Sequence, residues 1–195
     1  IRPKVGGDIS RHGRFKSTDI PTNFRSDKRP IVCVDWQQAR TFSRWVGGDL
    51  PTETEWMYAA QGGQSSPYPW GHHEPTCERA IFSYLGKKGC GYQRTWDVCT
   101  RPLGHSVHGL CDMAGNVWEW VLDMGRIKSR ILALPLYREN GEANCITASC
   151  TSSHSLRISR GGGWGSPKEL LKTNARAAFQ SIERHPNLGF RPVKR

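Results

Sequence analysis

No stretch of the chain approaches the roughly 18 apolar residues of a transmembrane helix, so the sequence predicts no membrane span. No two cysteines stand as a CxxC pair, which counts against zinc as the reason for the cysteines. His72, His73 and Cys77 are left as a thin alternative, and adjacent histidines in an HHEP turn read as solvated. Ser166 has no nucleophile elbow around it. His105 and His108 flank Ser106, but that string carries no acid to complete a triad. Nucleic-acid motifs, internal repeats and low-complexity tracts are also lacking. The chain opens at Ile1 without a signal-peptide pattern, which reads as a processed, trimmed or fragmentary chain.

Turns are abundant instead. Twenty-one glycines and 12 prolines in 195 residues predict a single domain rich in loops and poor in regular structure. Eight tryptophans supply core volume in place of long aliphatic runs. The net charge of +11 favours anionic partners. Its basic residues are scattered rather than clustered, so solubility explains the charge at least as well. Four of the seven cysteines, Cys77, Cys90, Cys99 and Cys111, crowd one Gly-rich stretch, which predicts disulfide staples. That usage points to an extracellular, periplasmic or cell-surface location. Cys145 and Cys150 either close a small loop or are unrelated thiols.

Along the chain, residues 1–29 are polar and basic and read as an irregular surface arm. Asp35 and Gln38 form a capping-box pattern ahead of Trp36, Ala39, Phe42 and Trp45 or Val46, predicting a helix with those residues inward. Thr52 and Glu55 repeat the pattern ahead of Trp56, Ala59 and Ala60, and Gly62-Gly63 stops the second helix. Strands are predicted at Val117–Leu122, Leu156–Arg160 and Gly189–Val193, separated by a long insertion at about 123–159. Lys168–Phe179 is ambiguous between helix and strand on composition alone.

The most informative segment is GLCDMAGNVWEW, Gly109–Trp120. Two carboxylates around a tight Gly-Asn turn can bring side-chain and backbone oxygens to one point, as a hard cation requires. Around it lie, in order, PIVCVDW at Pro30–Trp36, GGDLPTETEWMYAA at Gly47–Ala60, YPWG at Tyr68–Gly71, RGGGW at Arg160–Trp164 and NLGFRPV at Asn187–Val193. This order resembles the formylglycine-generating-enzyme, or sulfatase-modifying-factor, domain family from about Pro30 onward. The resemblance implies an α+β, C-type lectin-like fold spanning 30–195, with two helices and short mixed strands. It also favours a short helical turn and then a strand within Lys168–Phe179. The family's opening Gly-Gly-aromatic-Met-Gly pattern is absent.

The resemblance implies one structural calcium site, built from the carboxylates of Asp112 and Glu119 and the carbonyls of Gly115 and Val117. Calcium would hold both acids ionised and so exclude an acid/base dyad. A second family site falls near Ala80, which has no side-chain oxygen. Active members bind copper(I) through two cysteines, which suit that soft ion. Their places here are Ser166 and Leu171, so no copper and no formylglycine generation are expected. The resemblance then points to a non-catalytic binding domain, including the variable proteins of diversity-generating retroelements. Its binding face would draw on Trp164, Ser166, Lys168, Asn174, Arg176, Phe179, Gln180, Arg184 and Asn187. The expected partner is a protein or an anionic ligand, and the chain is expected to be a monomer. The rival is an oxidase or maturation enzyme that acts without the cysteine pair.

Overall fold

In the computed structural model of the chain, residues 20–125 and 155–195 are described. Cys145, Cys150 and most of the predicted insertion lie outside them. Both predicted helices form, and both carry complete capping boxes. Helix α1 spans Trp36–Trp45, with the Asp35 side chain accepting from the Gln38 amide and Gln38 accepting back from the Asp35 amide. Helix α2 spans Glu53–Gln61, with Thr52 and Glu55 reciprocating in the same way. It ends at Gly62, whose φ of 61° is the left-handed cap that glycine tolerates.

The buried stripe of α1 corrects the sequence reading. Trp36, Ala39 and Ser43 face inward, whereas Phe42, Trp45 and Val46 are exposed. At about 100° per residue, Trp45 emerges roughly opposite Trp36. Ser43 satisfies its hydroxyl by donating to the Ala39 carbonyl at 2.8 Å, which lets a polar side chain sit inside. Phe42 packs against Trp45 and Phe190 on the outer rim.

Four short strands follow: β1 at Trp118–Met124, β2 at Leu156–Arg160, β3 at Arg176–Gln180 and β4 at Leu188–Phe190. They form one mixed sheet in the order β3-β2-β1-β4. The β1–β2 and β2–β3 pairings are antiparallel, and β1–β4 is parallel. The ambiguous 168–179 stretch resolves into a 3-10 turn at Lys168–Leu171 and then β3, because Thr173–Gln180 alternates with strand period. Cross-strand partners Trp118 and Leu188 lie in one core cluster with Val34, Trp36, Leu50 and Trp120.

Indoles tie the irregular segments to this sheet. The Trp36 ring donates to the Val121 carbonyl at 2.7 Å, and the Trp120 ring to the Val34 carbonyl at 3.1 Å. Each buried ring thus keeps its N–H satisfied while filling core volume. Residues 20–29 contribute a 3-10 turn at Thr22–Phe24, and Ile20 and Phe24 join Val32, Ile81, Val117 and Trp164 in the core. Between the helices and the sheet, two disulfides, Cys77–Cys90 and Cys99–Cys111, staple the loops as the cysteine crowding predicts. Cys33 is also disulfide-bonded. Among the described residues, no helix is long and apolar enough to cross a membrane.

Candidate functional site

The Gly109–Trp120 segment enters the sheet through a chain of left-handed residues. Asp112, Gly115 and Asn116 have φ of 53°, 80° and 65°. Gly115 is required: a Cβ there would lie 2.6 Å from the Ile81 carbonyl oxygen. Asn116 holds its unfavourable conformation by using every polar group it has. Its amide N–H donates to the Ile81 carbonyl, and its own carbonyl accepts from the Trp164 N–H. Its side chain clamps the Trp96 backbone, accepting from the N–H at 2.9 Å and donating to the carbonyl at 3.1 Å. Four hydrogen bonds over-determine one strained residue.

The two carboxylates of the segment have different surroundings. Glu119, at the start of β1, is buried and meets Arg191 in a two-pronged pair, with Nε to Oε2 and Nη2 to Oε1 both at 2.7 Å. Oε2 also accepts from the Trp56 indole at 2.7 Å. Arg191 further donates to the Cys111 and Asp112 carbonyls, at 3.0 and 3.3 Å. Burial works against the Arg191 charge, but the attraction of Glu119 and Asp112 outweighs it and raises its proton affinity. Asp112 is partly buried, and its Oδ2 accepts from the Cys99 N–H at 2.7 Å. Burial pushes its pKa above the usual carboxylate value against the pull of that hydrogen bond and Arg191.

These donors bear on the expected calcium. Oε2 of Glu119 is filled by two N–H groups, so a cation would reach Glu119 only through Oε1 and would share it with Arg191. The Gly115 carbonyl already accepts from the Val117 N–H at 2.8 Å, leaving it one lone pair. The Asp112 carboxylate, by contrast, has no salt-bridge partner among the described residues. A hard cation would therefore sit on Asp112 and reach Glu119 only beside Arg191.

The proposed binding face divides. Trp164 is 1% exposed, packs against Phe24 and donates its indole N–H to the Pro186 carbonyl, so it is core rather than a contact residue. Ser166 is buried as well, its Oγ accepting from the Gly163 N–H at 2.9 Å. Arg184 pairs with Asp35 at the start of α1, with both side chains buried. Phe179 packs against Trp120 and His185, and the Asn187 carbonyl accepts from the Trp118 N–H. Lys168, Asn174 and Arg176 are exposed. Lys168 reaches Glu74 at 2.9 Å and Arg176 reaches Glu53 at 3.0 Å. Gln180 is half-buried on β3. Three of the residues are thus exposed, and the others are buried or half-buried.

Sequence reasoning missed Arg191 and Trp56 as partners of Glu119, and Trp96 as the load on Asn116. NLGFRPV and the α2 motif contain the first two, so a lone arginine in an apolar C-terminal block was the available signal. It missed, too, the buried cluster in which Arg160 meets Glu53 and donates to the Ala175 carbonyl.

Comparison with known proteins agrees with this architecture. The sulfatase-modifying factor enzyme 1-like domain matches residues 7–195. A formylglycine-generating enzyme of Streptomyces coelicolor is 32% identical over 188 residues, covering 88% of this chain and 56% of that protein. An inactive C-alpha-formylglycine-generating enzyme 2 of Bos taurus is 28% identical over 172 residues, covering 83% and 49%. The chain spans about half the length of the curated relatives it matches. Among solved structures, PvdO of Pseudomonas aeruginosa aligns with TM-score 0.62 at 23% identity, over 85% of this chain and 62% of that one. Treponema denticola variable protein 1 aligns with TM-score 0.59 at 19% identity, over 92% and 74%. The fold is C-type lectin-like.

Proposed function

Because the chain belongs to the sulfatase-modifying factor enzyme 1-like family, we propose that it is a non-catalytic member that binds a protein or an anionic ligand on a calcium-stabilised scaffold. One observation carries this reading. Ser166 and Leu171 stand where active members need copper-binding thiolates, and both are buried in structural roles. Ser166 caps the Gly163 turn and its carbonyl accepts from Ser83, while Leu171 packs with Tyr68, Phe82 and Ala114. Neither side chain offers a soft ligand to copper(I). A relative named as inactive and a variable protein with the same fold support the same reading. The exposed Lys168 in its 3-10 turn, Asn174 in the loop after it and Arg176 at the start of edge strand β3 supply the contact chemistry. Two disulfides fit an oxidising environment, extracellular or periplasmic, and the domain acts there as a monomer.

The enzyme reading draws on identity to relatives named formylglycine-generating enzymes, and one assay separates the two. A sulfatase-motif cysteine peptide is incubated with the chain, copper(I), oxygen and reductant, and aldehyde is sought by mass. No product is expected. Product that survives replacement of every cysteine in the chain would sink the non-catalytic reading. For binding, retention on immobilised heparin is compared between wild type and Lys168→Ala/Arg176→Ala. Earlier elution of the variant than its two-charge loss causes at a distant site, such as Lys194→Ala/Arg44→Ala, supports the face, and equal shifts remove it.

A further inference from the structure

We propose that Cys99, Cys111 and Asp112 form a redox-gated zinc site that opens when the Cys99–Cys111 disulfide is reduced. The two sulfurs and an Asp112 carboxylate oxygen all lie within 4.8 Å of one another. Tetrahedral zinc with Zn–S bonds of about 2.3 Å sets its two sulfurs about 3.8 Å apart. The Cα atoms of Cys99 and Cys111 are 5.0 Å apart, so side-chain rotation alone reaches that separation. Two thiolates and one carboxylate are a donor set suited to zinc rather than to calcium.

The backbone is held for this without the sulfur–sulfur bond. The Cys99 N–H donates to Asp112 Oδ2 at 2.7 Å, which ties the two chain segments directly. Between them the 106–110 turn is closed by Ser106 N–H to the Leu110 carbonyl and Gly109 N–H to the Ser106 carbonyl. Opening the disulfide therefore frees two thiols while leaving their relative position in place. His105 Nε2 is buried without a hydrogen-bond partner among the described residues. Cys99 is exposed, so an external dithiol reaches this bridge, whereas Cys77 and Cys90 are both partly buried and Cys90 packs against the core.

The chemistry balances simply. A dithiol supplies two electrons and two protons, the S–S bond breaks, two thiols form and the dithiol becomes a disulfide. Zinc then displaces the two thiol protons into solvent, with no change in its own oxidation state. The site shares the Asp112 carboxylate with the calcium proposal, so the two ions would compete for it.

Cobalt(II) serves as the spectroscopic probe on the full chain, before and after mild dithiol treatment and removal of the dithiol. Alkylation and peptide mapping identify which bridge has opened. The expected result is one equivalent of cobalt with thiolate charge-transfer bands in the reduced chain only, displaced by zinc. Cys99→Ser, which keeps the backbone N–H that holds Asp112, should abolish the bands. Asp112→Asn should weaken zinc at least the roughly tenfold that losing even a supporting partner costs. Mapped-open Cys99 and Cys111 without the bands, bands that persist in Cys99→Ser, or unchanged affinity in Asp112→Asn would each overturn the site.

Discussion

Glu119 shows how much of this domain rests on single side chains. It accepts three hydrogen bonds, two from a guanidinium and one from an indole, inside the protein. Glu119→Gln leaves Arg191 facing a neutral amide, and removing one partner of a buried pair costs about 3–5 kcal/mol. The lower end is expected, because the Arg191 side chain keeps 28% exposure. Chemical denaturation followed by tryptophan fluorescence measures this. Glu74→Gln, at the exposed Lys168–Glu74 pair, should leave the midpoint where it is, since solvent screens such pairs. Equal losses in the two variants would show that the Glu119 network contributes no more than a surface contact. At this scale the sequence was only partly legible. Asp112, Glu119 and the Gly-Asn turn stand out by type and spacing, but the partner of Glu119 lies 72 residues away and no local pattern names it.

At the scale of elements, legibility followed locality. Both helix starts are written within four residues as capping boxes, and both formed where those residues placed them. Strand β2 likewise matched its short alternating run. The inward face of α1 did not, because its apolar residues nearly encircle the helix and the packing of Trp36 and Ala39 on Trp118, Trp120 and Leu188 decides which go inside. The two caps also differ in what they carry. Thr52→Ala removes an N-cap alone and should cost about 1 kcal/mol. Asp35→Ala removes a cap together with its buried ion pair to Arg184, so a loss larger than that of Thr52→Ala, about 3 kcal/mol, is expected. Urea midpoints with unchanged m-values test the ranking, and a larger loss at Thr52 would reverse it. Acid exposes a third element contact. The Arg195 guanidinium beside Glu55 lowers its carboxyl from 4.5 to about 2, against a smaller opposing effect of burial. A carboxyl that titrates lower when folded favours folding in its charged form. Its contribution is complete above about pH 4.5 and is lost as pH falls towards 2. The effect is small, because Glu55 is 36% exposed and solvent screens the pair. Glu55→Gln should flatten that limb of the stability–pH curve, and an unchanged limb would assign it to other acids.

For the molecule as a whole, the calcium proposal makes the stability of the domain depend on solution composition. A cation that binds only the folded chain adds about 2.7 kcal/mol at a hundredfold excess over its Kd. Chelator should lower Tm, added calcium should restore it, and Asp112→Ala should remove the difference between the two conditions. If chelation leaves Tm unchanged in wild type, Arg191 alone neutralises the turn and calcium has no part in it. The fold class was legible because ordered motifs recur in known proteins, whereas the placement of the C-terminal face depended on contacts spanning the whole chain. Trp164 and Ser166 show this: both look like surface chemistry in the sequence, and both are enclosed by segments far from them.

Strand β4 has one further implication, and it concerns time. Residues 188–195 pair with β1, bridge to Asp49, neutralise Glu119 and reach Glu55, while Ser181 and Arg184 secure the first turn of α1. Helix α1, β1 and the Glu119 network therefore wait for partners synthesised well after them. Such long loops close slowly. Until they close, Trp118 and Trp120 lack the cover of Leu188 and Phe190, and the nascent chain leaves these indoles exposed. Substitutions in residues 188–193 should then slow folding, and a folding rate left unchanged in stopped-flow would place this segment after the barrier.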